Sequence, residues 1–139
     1  MARDKLIIRG RVVVPGIAEG TALVSREPVP GWGGIDPLQG TIIERRHSLY
    51  GACFSGQVLV FPSAKGSSGW AGFFQATRLN GTAPLAMVIT RVSAKSALGA
   101  VVTRVPALTD LDDDPVEAIR TGDYVRVDAN LGQLEVYRR

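Results

Sequence analysis

Gln57-Val58-Leu59-Val60-Phe61-Pro62-Ser63-Ala64-Lys65-Gly66-Ser67-Ser68-Gly69-Trp70 carries the pattern that decides the fold. The nearly continuous apolar run at 57–61 reads as a buried strand, and Pro62 ends it. A loop of small residues follows. Residues 70–79 then place apolar side chains at helical spacing, up to the stop signal Asn80-Gly81. A second buried strand is expected at 86–90. Strand, helix and strand in that order imply a parallel crossover.

Working outward towards the N-terminus, residues 6–14 alternate, are rich in β-branched side chains, and read as one strand that Pro15-Gly16 breaks. A strand at 21–25 follows the turn signal Glu19-Gly20. The prolines and glycines of 28–37 predict a loop, 41–43 a short strand, and 46–56 an irregular connection. Towards the C-terminus, the pattern predicts a short helix at 94–98, a strand near 100–102 and another at 105–108. A one- to two-turn helix at 114–120 has Pro115 in its first turn. Tyr124-Val125-Arg126-Val127-Asp128 and Gln133-Leu134-Glu135-Val136-Tyr137 alternate around Asn130-Leu131-Gly132, which predicts a closing hairpin. The expected architecture is α/β: a β-barrel or sandwich built from the two ends, with an α/β insertion between them.

Composition narrows the function classes. The 139 residues suit one domain, and 45% hydrophobic with 21% charged residues is ordinary for a globular chain. Sixteen basic against 13 acidic residues leave a net charge of only +3, and aromatics are 6%. Nucleic-acid binding would want a dense basic stripe with interleaved aromatics, and the chain has none. The one cysteine, Cys53, excludes an internal disulfide and cannot build a metal site by itself. A reducing, cytoplasmic setting is the simplest expectation. No apolar signal region and no membrane-length apolar stretch occur.

Lys65-Gly66-Ser67-Ser68-Gly69 is the only concentrated chemistry. A helix N-terminus presents unpaired N–H groups and partial positive charge, which suit a phosphate or carboxylate. Gly66 admits close approach, and Lys65 adds a cation. Because the lysine precedes the glycine, this is not a Walker-type phosphate loop. The bland alternative is that Ser67 or Ser68 merely caps the helix. A catalytic Ser67 would need activation. Neither a Gly-x-Ser-x-Gly elbow nor a spacing that brings the single histidine, His47, to the loop is present. Activation would therefore have to come from a partner.

Other candidates have bland alternatives too. Asp36, in Trp32-Gly33-Gly34-Ile35-Asp36-Pro37, could hold a cation or position a substrate, but an Asp-Pro turn capped by local hydrogen bonds is favoured. Arg45-Arg46-His47 could bind a carboxylate or phosphate, or be a solvated turn. Cys53 reads as a small buried hydrophobe, with one ligand of a shared cluster as the alternative. Asp110-Leu111-Asp112-Asp113-Asp114 has a calcium-loop composition but lacks the glycine and distal glutamate, so it reads as an acidic cluster at a helix start.

Five motifs in order carry a resemblance: Val13-Val14-Pro15-Gly16-Ile17-Ala18-Glu19-Gly20, Trp32-Gly33-Gly34-Ile35-Asp36-Pro37, Arg46-His47-Ser48-Leu49-Tyr50-Gly51, Val58-Leu59-Val60-Phe61-Pro62-Ser63 and Asn80-Gly81-Thr82-Ala83-Pro84. Across most of its length the chain resembles the small subunit of the aconitase X family, itself similar to the aconitase swivelling domain and the isopropylmalate isomerase small subunit. The resemblance implies a swivelling β/β/α domain over 1–139, barrel-like with a strand–helix–strand crossover. It implies a two-chain hydro-lyase that dehydrates a small hydroxy acid, either cis-3-hydroxy-L-proline or phosphomevalonate, and that is inactive without its large subunit. The large subunit would hold an iron–sulfur cluster or divalent metal ion, with no metal in this chain. Ser67 would be the base that removes a proton. Lys65, Gly66, Ser68, Arg46 and His47 would contact substrate. The ordinary charge content, with no hyperthermophile signature, favours the hydroxyproline substrate.

One departure matters. Where aconitase and isopropylmalate isomerase follow the two serines with a substrate-binding arginine, this chain has Gly69, so that contact must come from Lys65, Arg46 or the partner. A rival resemblance, through Pro15-Gly16-Ile17-Ala18-Glu19-Gly20 and Gly122-Asp123-Tyr124-Val125-Arg126-Val127-Asp128, is to the phosphohistidine swivelling domain of phosphoenolpyruvate-using enzymes. His47 lies upstream of the crossover, in the wrong context for that chemistry, so a shared fold is expected there rather than a shared function. The alternative of another class is a non-catalytic anion-binding or regulatory swivelling module.

Overall fold

The computed structural model describes residues 4–138. In chain order its elements are β1 (Asp4–Arg9), β2 (Arg11–Val14), β3 (Ile17–Val24), β4 (Val29–Pro30), β5 (Ile35–Asp36), β6 (Thr41–Ile42), β7 (Val58–Phe61), β8 (Ala64–Lys65), α1 (Trp70–Leu79), β9 (Ala86–Ile89), α2 (Ala94–Thr103), β10 (Ala107–Thr109), α3 (Pro115–Ala118), β11 (Tyr124–Asp128) and β12 (Gln133–Arg138).

Eight strands form one mixed sheet in the order β1-β12-β11-β3-β7-β9-β10-β2. β1 and β2 lie at opposite edges of that order, yet only Gly10 separates them in sequence. The sheet must therefore curl until its edges meet, which makes it barrel-like. Gly10 N donates to Gly132 O at 2.8 Å, fastening the seam to the β11–β12 turn. The expected single strand at 6–14 is thus two strands that serve opposite edges.

β3 joins two halves of different character. Its first part, Ile17 to Thr21, pairs antiparallel with β11; its last residues, Ala22 to Val24, pair parallel with β7. From there β7, β9 and β10 continue parallel. Alternation along β7 explains its continuous apolar sequence. Val58 and Val60 face the barrel interior with Ala22, Val88, Val125 and Leu134. Leu59 and Phe61 face the helices with Trp70, Phe74 and Met87. A strand buried on both faces needs no polar alternation.

α1 occupies the predicted 70–79 range, but the expected strand near 100–102 is part of α2. Ser93 caps α2 by accepting from Ser96 N, and Ser96 Oγ accepts in return from Ser93 N at 2.9 Å. Once nucleated there, the helix is held by packing against α1, where Gly99 lies directly over the Trp70 ring. That contact outweighs the strand preference of Val101-Val102. The loop expected at 28–37 also contains order. Val29–Pro30 pairs in parallel with Ala64–Lys65, and Val29 N donates to Ser63 O at 2.9 Å. Pro30 is tolerated because this is a two-residue edge pairing that does not need its missing N–H.

Candidate functional site

The parallel strands β3, β7, β9 and β10 all end on one side of the sheet, the usual place for a site in a parallel α/β arrangement. The loop 62–69 leaves the end of β7 there, and α2 begins beside it. Arg91 N donates to Pro62 O at 2.9 Å, so the connections after β7 and β9 are tied together.

Within the loop, Gly66 has φ +100, a conformation that costs glycine little, and a side chain there would meet open space. Ser67 and Ser68 are both exposed. Neither caps α1 in the expected sense. Gly69 is the N-cap and α1 has no side-chain cap, while Ser67 Oγ accepts from Gly69 N at 3.3 Å. No carboxylate or imidazole approaches the Ser67 hydroxyl among the hydrogen bonds of the described residues. Ser67 stands on a strand-to-helix turn with no activating base among the described residues.

Lys65 is not a free cation. Its Nζ lies 2.9 Å from Glu44 Oε2. Glu27 stands nearby: hydrogen bonds from Ser48 hold its carboxyl below the usual carboxylate range, and the charge of Lys65 adds to the effect. His47 is only 4% exposed, and both ring nitrogens are engaged. Nδ1 accepts from Leu49 N at 3.0 Å, which leaves Nε2–H to donate to Pro28 O at 3.1 Å. His47 therefore clasps the 46–50 turn to the 28–30 segment, and its ring has no nitrogen left for a substrate. Arg46, one residue earlier, is exposed and makes no ion pair among the described residues. It shares its turn with Glu44, whose carboxylate reaches Lys65.

One expectation about a single residue changes, that for Cys53, while Asp36 and Asp114 take the local roles expected of them. Cys53 is exposed, not buried. It forms an isolated bridge with Thr41, and the alternation gives the inward position to the next residue, Phe54. Asp36 Oδ1 accepts from Leu38 N at 2.9 Å, a local turn bond. Asp114 Oδ1 likewise accepts from Val116 N and caps α3, while Asp110 pairs with Arg11. Among the described residues no three His, Cys, Asp or Glu side chains form a group that could hold a metal, so this chain's donors do not fit a resident cluster.

Sequence reasoning missed Lys95. Its Nζ donates to Gly66 O at 2.6 Å, reaching from the first turn of α2 to the residue before Ser67. A signal was present: Ile89-Thr90-Arg91-Val92-Ser93 repeats the order of buried strand, serine and helix start seen at 61–70.

Comparison with known proteins rests on most of the chain. The family described as the aconitase X swivel domain matches residues 7–136. The chain belongs to the aconitase X swivel-domain family. A Methanocella arvoryzae protein named phosphomevalonate dehydratase small subunit is 40% identical over 129 residues, 93% of this chain and 98% of that one. A Thermococcus kodakarensis protein of the same name is 35% identical, covering 93% and 95%. The crystal structure of Thermococcus kodakaraensis aconitase X in its holo-form superposes with a TM-score of 0.89 at 34% identity, over 96% of this chain and 99% of that chain. A solution structure of a UPF0107 protein gives 0.86, also at 34%, over 96% and 100%. As an aconitase X swivel domain, this chain is a dehydratase small subunit, the hydro-lyase class, and has the mixed α/β fold of its relatives. Among the described residues no helix is long and apolar enough to cross a membrane.

Proposed function

We propose that this chain, as one swivelling domain, pairs with an aconitase X large subunit to dehydrate a phosphomevalonate-type hydroxy acid, with Ser67 as the base. The observation that carries this is the exposed Ser67 hydroxyl at the carboxyl ends of the parallel strands, with nothing among the described residues to activate it. Such a serine fits one half of a composite site. The relatives bearing the phosphomevalonate name favour that substrate over cis-3-hydroxy-L-proline. That shared name outweighs the charge-content argument for the proline substrate.

In the dehydration, the serine acts as its alkoxide. Its oxygen takes the proton from the carbon next to the substrate carboxylate. The C–H electron pair becomes the new double bond, and the C–O pair leaves with the hydroxyl. The hydroxyl departs as water by taking up the equivalent of the proton that the serine first gave up. Release of the hydroxyl falls to the partner subunit, where the family resemblance puts the cluster or metal ion. Gly66 and Ser68 line the approach to Ser67. Arg46 offers a planar fork for an anionic group of the substrate. Lys65, held by Glu44, contributes as a fixed member of the wall. His47 enters as the clasp that holds this turn.

The surface around the loop supports docking of a partner at this end. Trp32 is 72% exposed, packs on Phe73 at 5.2 Å, and stands with Leu38 on one flank of the loop. Leu98 and Val101 are exposed on α2, on the other flank. Apolar surface around a polar centre is the pattern of a protein interface.

The test is reconstitution with the large subunit encoded in the same genome, assayed with phosphomevalonate and with cis-3-hydroxy-L-proline. The complex is expected to form the unsaturated product from phosphomevalonate alone, and the isolated chain to do nothing. Turnover of only the proline would overturn the substrate assignment. Tight anion binding by the isolated chain, together with no turnover by the complex, would favour the non-catalytic module.

A further inference from the structure

We infer that Lys95 binds the carboxylate of the substrate and so replaces the arginine whose place Gly69 occupies. This rests on the proposed dehydratase function and assigns the group that grips the reacting end of its substrate.

Four observations converge on Lys95. The first is its reach. Lys95 Nζ donates to Gly66 O at 2.6 Å, so its ammonium is fixed one residue away from Ser67. An ammonium has three donors. One is used here, and Lys95 makes no ion pair among the described residues. The second is the state of Lys65, the lysine inside the loop: it is paired with Glu44 at 2.9 Å, which leaves Lys95 as the lysine beside Ser67 with no ion pair among the described residues.

The third is placement against the helix field. Lys95 sits in the first turn of α2, which contains no acidic residue. A cation at that end opposes the helix dipole, which favours anions there and cations at the other end. Among the described residues no carboxylate pairs with it. A bound carboxylate would satisfy the lysine and the helix end together. The fourth is the surface. Ser68, Ser93, Ala94, Lys95 and Leu98 line a shallow depression of about 400 Å³ between the starts of α1 and α2. Ser68 supplies a hydroxyl, and the apolar Leu98 and Ala94 reduce competing water.

The chemistry makes this position valuable. The proton lost in the dehydration comes from the carbon next to the carboxylate, and the negative charge left behind flows into the carboxylate oxygens. A fixed ammonium there interacts more strongly with the transition state than with the ground state, which is what raises kcat. Lys95 would thus act on both binding and rate.

The test uses the complex with the large subunit, in a Ser67→Ala background so that the substrate stays intact. Dissociation constants are measured for phosphomevalonate and for its carboxamide, in which the carboxylate charge is removed. With Lys95 present, the acid should bind roughly tenfold to a hundredfold more tightly than the amide, the span expected for a charged hydrogen bond. Lys95→Met should bring the ratio close to one, and Lys95→Arg should keep most of it. A lysine that merely braces Gly66 would weaken acid and amide alike, leaving the ratio unchanged, and that result overturns the inference. Assembly of the Lys95→Met complex is checked by gel filtration; if it does not assemble, Lys95→Gln is measured in the same way and decides. Turnover of the acid by the Ser67→Ala complex would instead refute the serine base, independently of the ratio.

Discussion

Gly99→Ala probes the contact that locks the two helices beneath the serine loop. A Cβ on Gly99 would fall 2.2 Å from Cζ3 and 2.6 Å from Cε3 of Trp70. The ring cannot easily yield. Trp70 is fully buried, stacks on Phe74 at 4.3 Å, and donates from Nε1 to Val29 O at 2.9 Å. Forcing a methyl into a packed core costs about 1–3 kcal/mol. Displacing the ring from Val29 O adds about 1–3 kcal/mol for a buried group left without its partner. The better helix propensity of alanine returns about 1 kcal/mol. The net loss is about 3 kcal/mol, which for a chain of this length lowers Tm on the order of 10 °C. Urea denaturation of the isolated chain should show a lower midpoint with an unchanged m value. Neutral or raised stability would show that α1 and α2 can separate freely, and would remove the account of why 99–103 is helical.

Trp32→Ala should leave the melting of the isolated chain almost unchanged, because the ring is largely exposed. If its flank faces the large subunit, the same change should weaken association at least tenfold, as expected for an aromatic anchor; an unchanged Kd in a binding titration would contradict the docking face. Glu27 tests the clasp beside the loop. Its pKa is lowered, chiefly by the hydrogen bonds from Ser48, so its stabilisation is present above the ordinary carboxylate range and fades as pH falls through the folded-state value. The Tm gap between the wild-type chain and Glu27→Gln should thus be widest near neutral pH and close on acidification; a gap that is constant with pH would mean that the carboxylate charge is not involved.

Much of this architecture is legible in the residues. The runs at 58–61 and 86–89 are apolar on both faces because helices cover one side and the barrel interior the other. The hairpin at 124–138 alternates because only one face is buried. The Gly-Ser loop stands where strand pattern gives way to helix pattern. What escaped is what depends on distant partners. Val101-Val102 look like a strand until Gly99 is seen beneath Trp70. Pro30 looks incompatible with pairing until Ala64–Lys65 comes alongside. The placement of β1 and β2 at opposite edges follows from sheet order, which local pattern does not encode. In the site, Ser67 was visible from its loop, but the neutralisation of Lys65 by Glu44, the bond from His47 to Pro28 O and the reach of Lys95 are all long-range contacts.

The most direct test of the serine base is kcat of the Ser67→Ala complex, measured beside substrate affinity. General base catalysis contributes about 10²–10⁴-fold, so kcat should fall by at least that range while the substrate still binds. A kcat within a few-fold of the unmodified complex would contradict Ser67 as the base and leave the loop as a binding element alone.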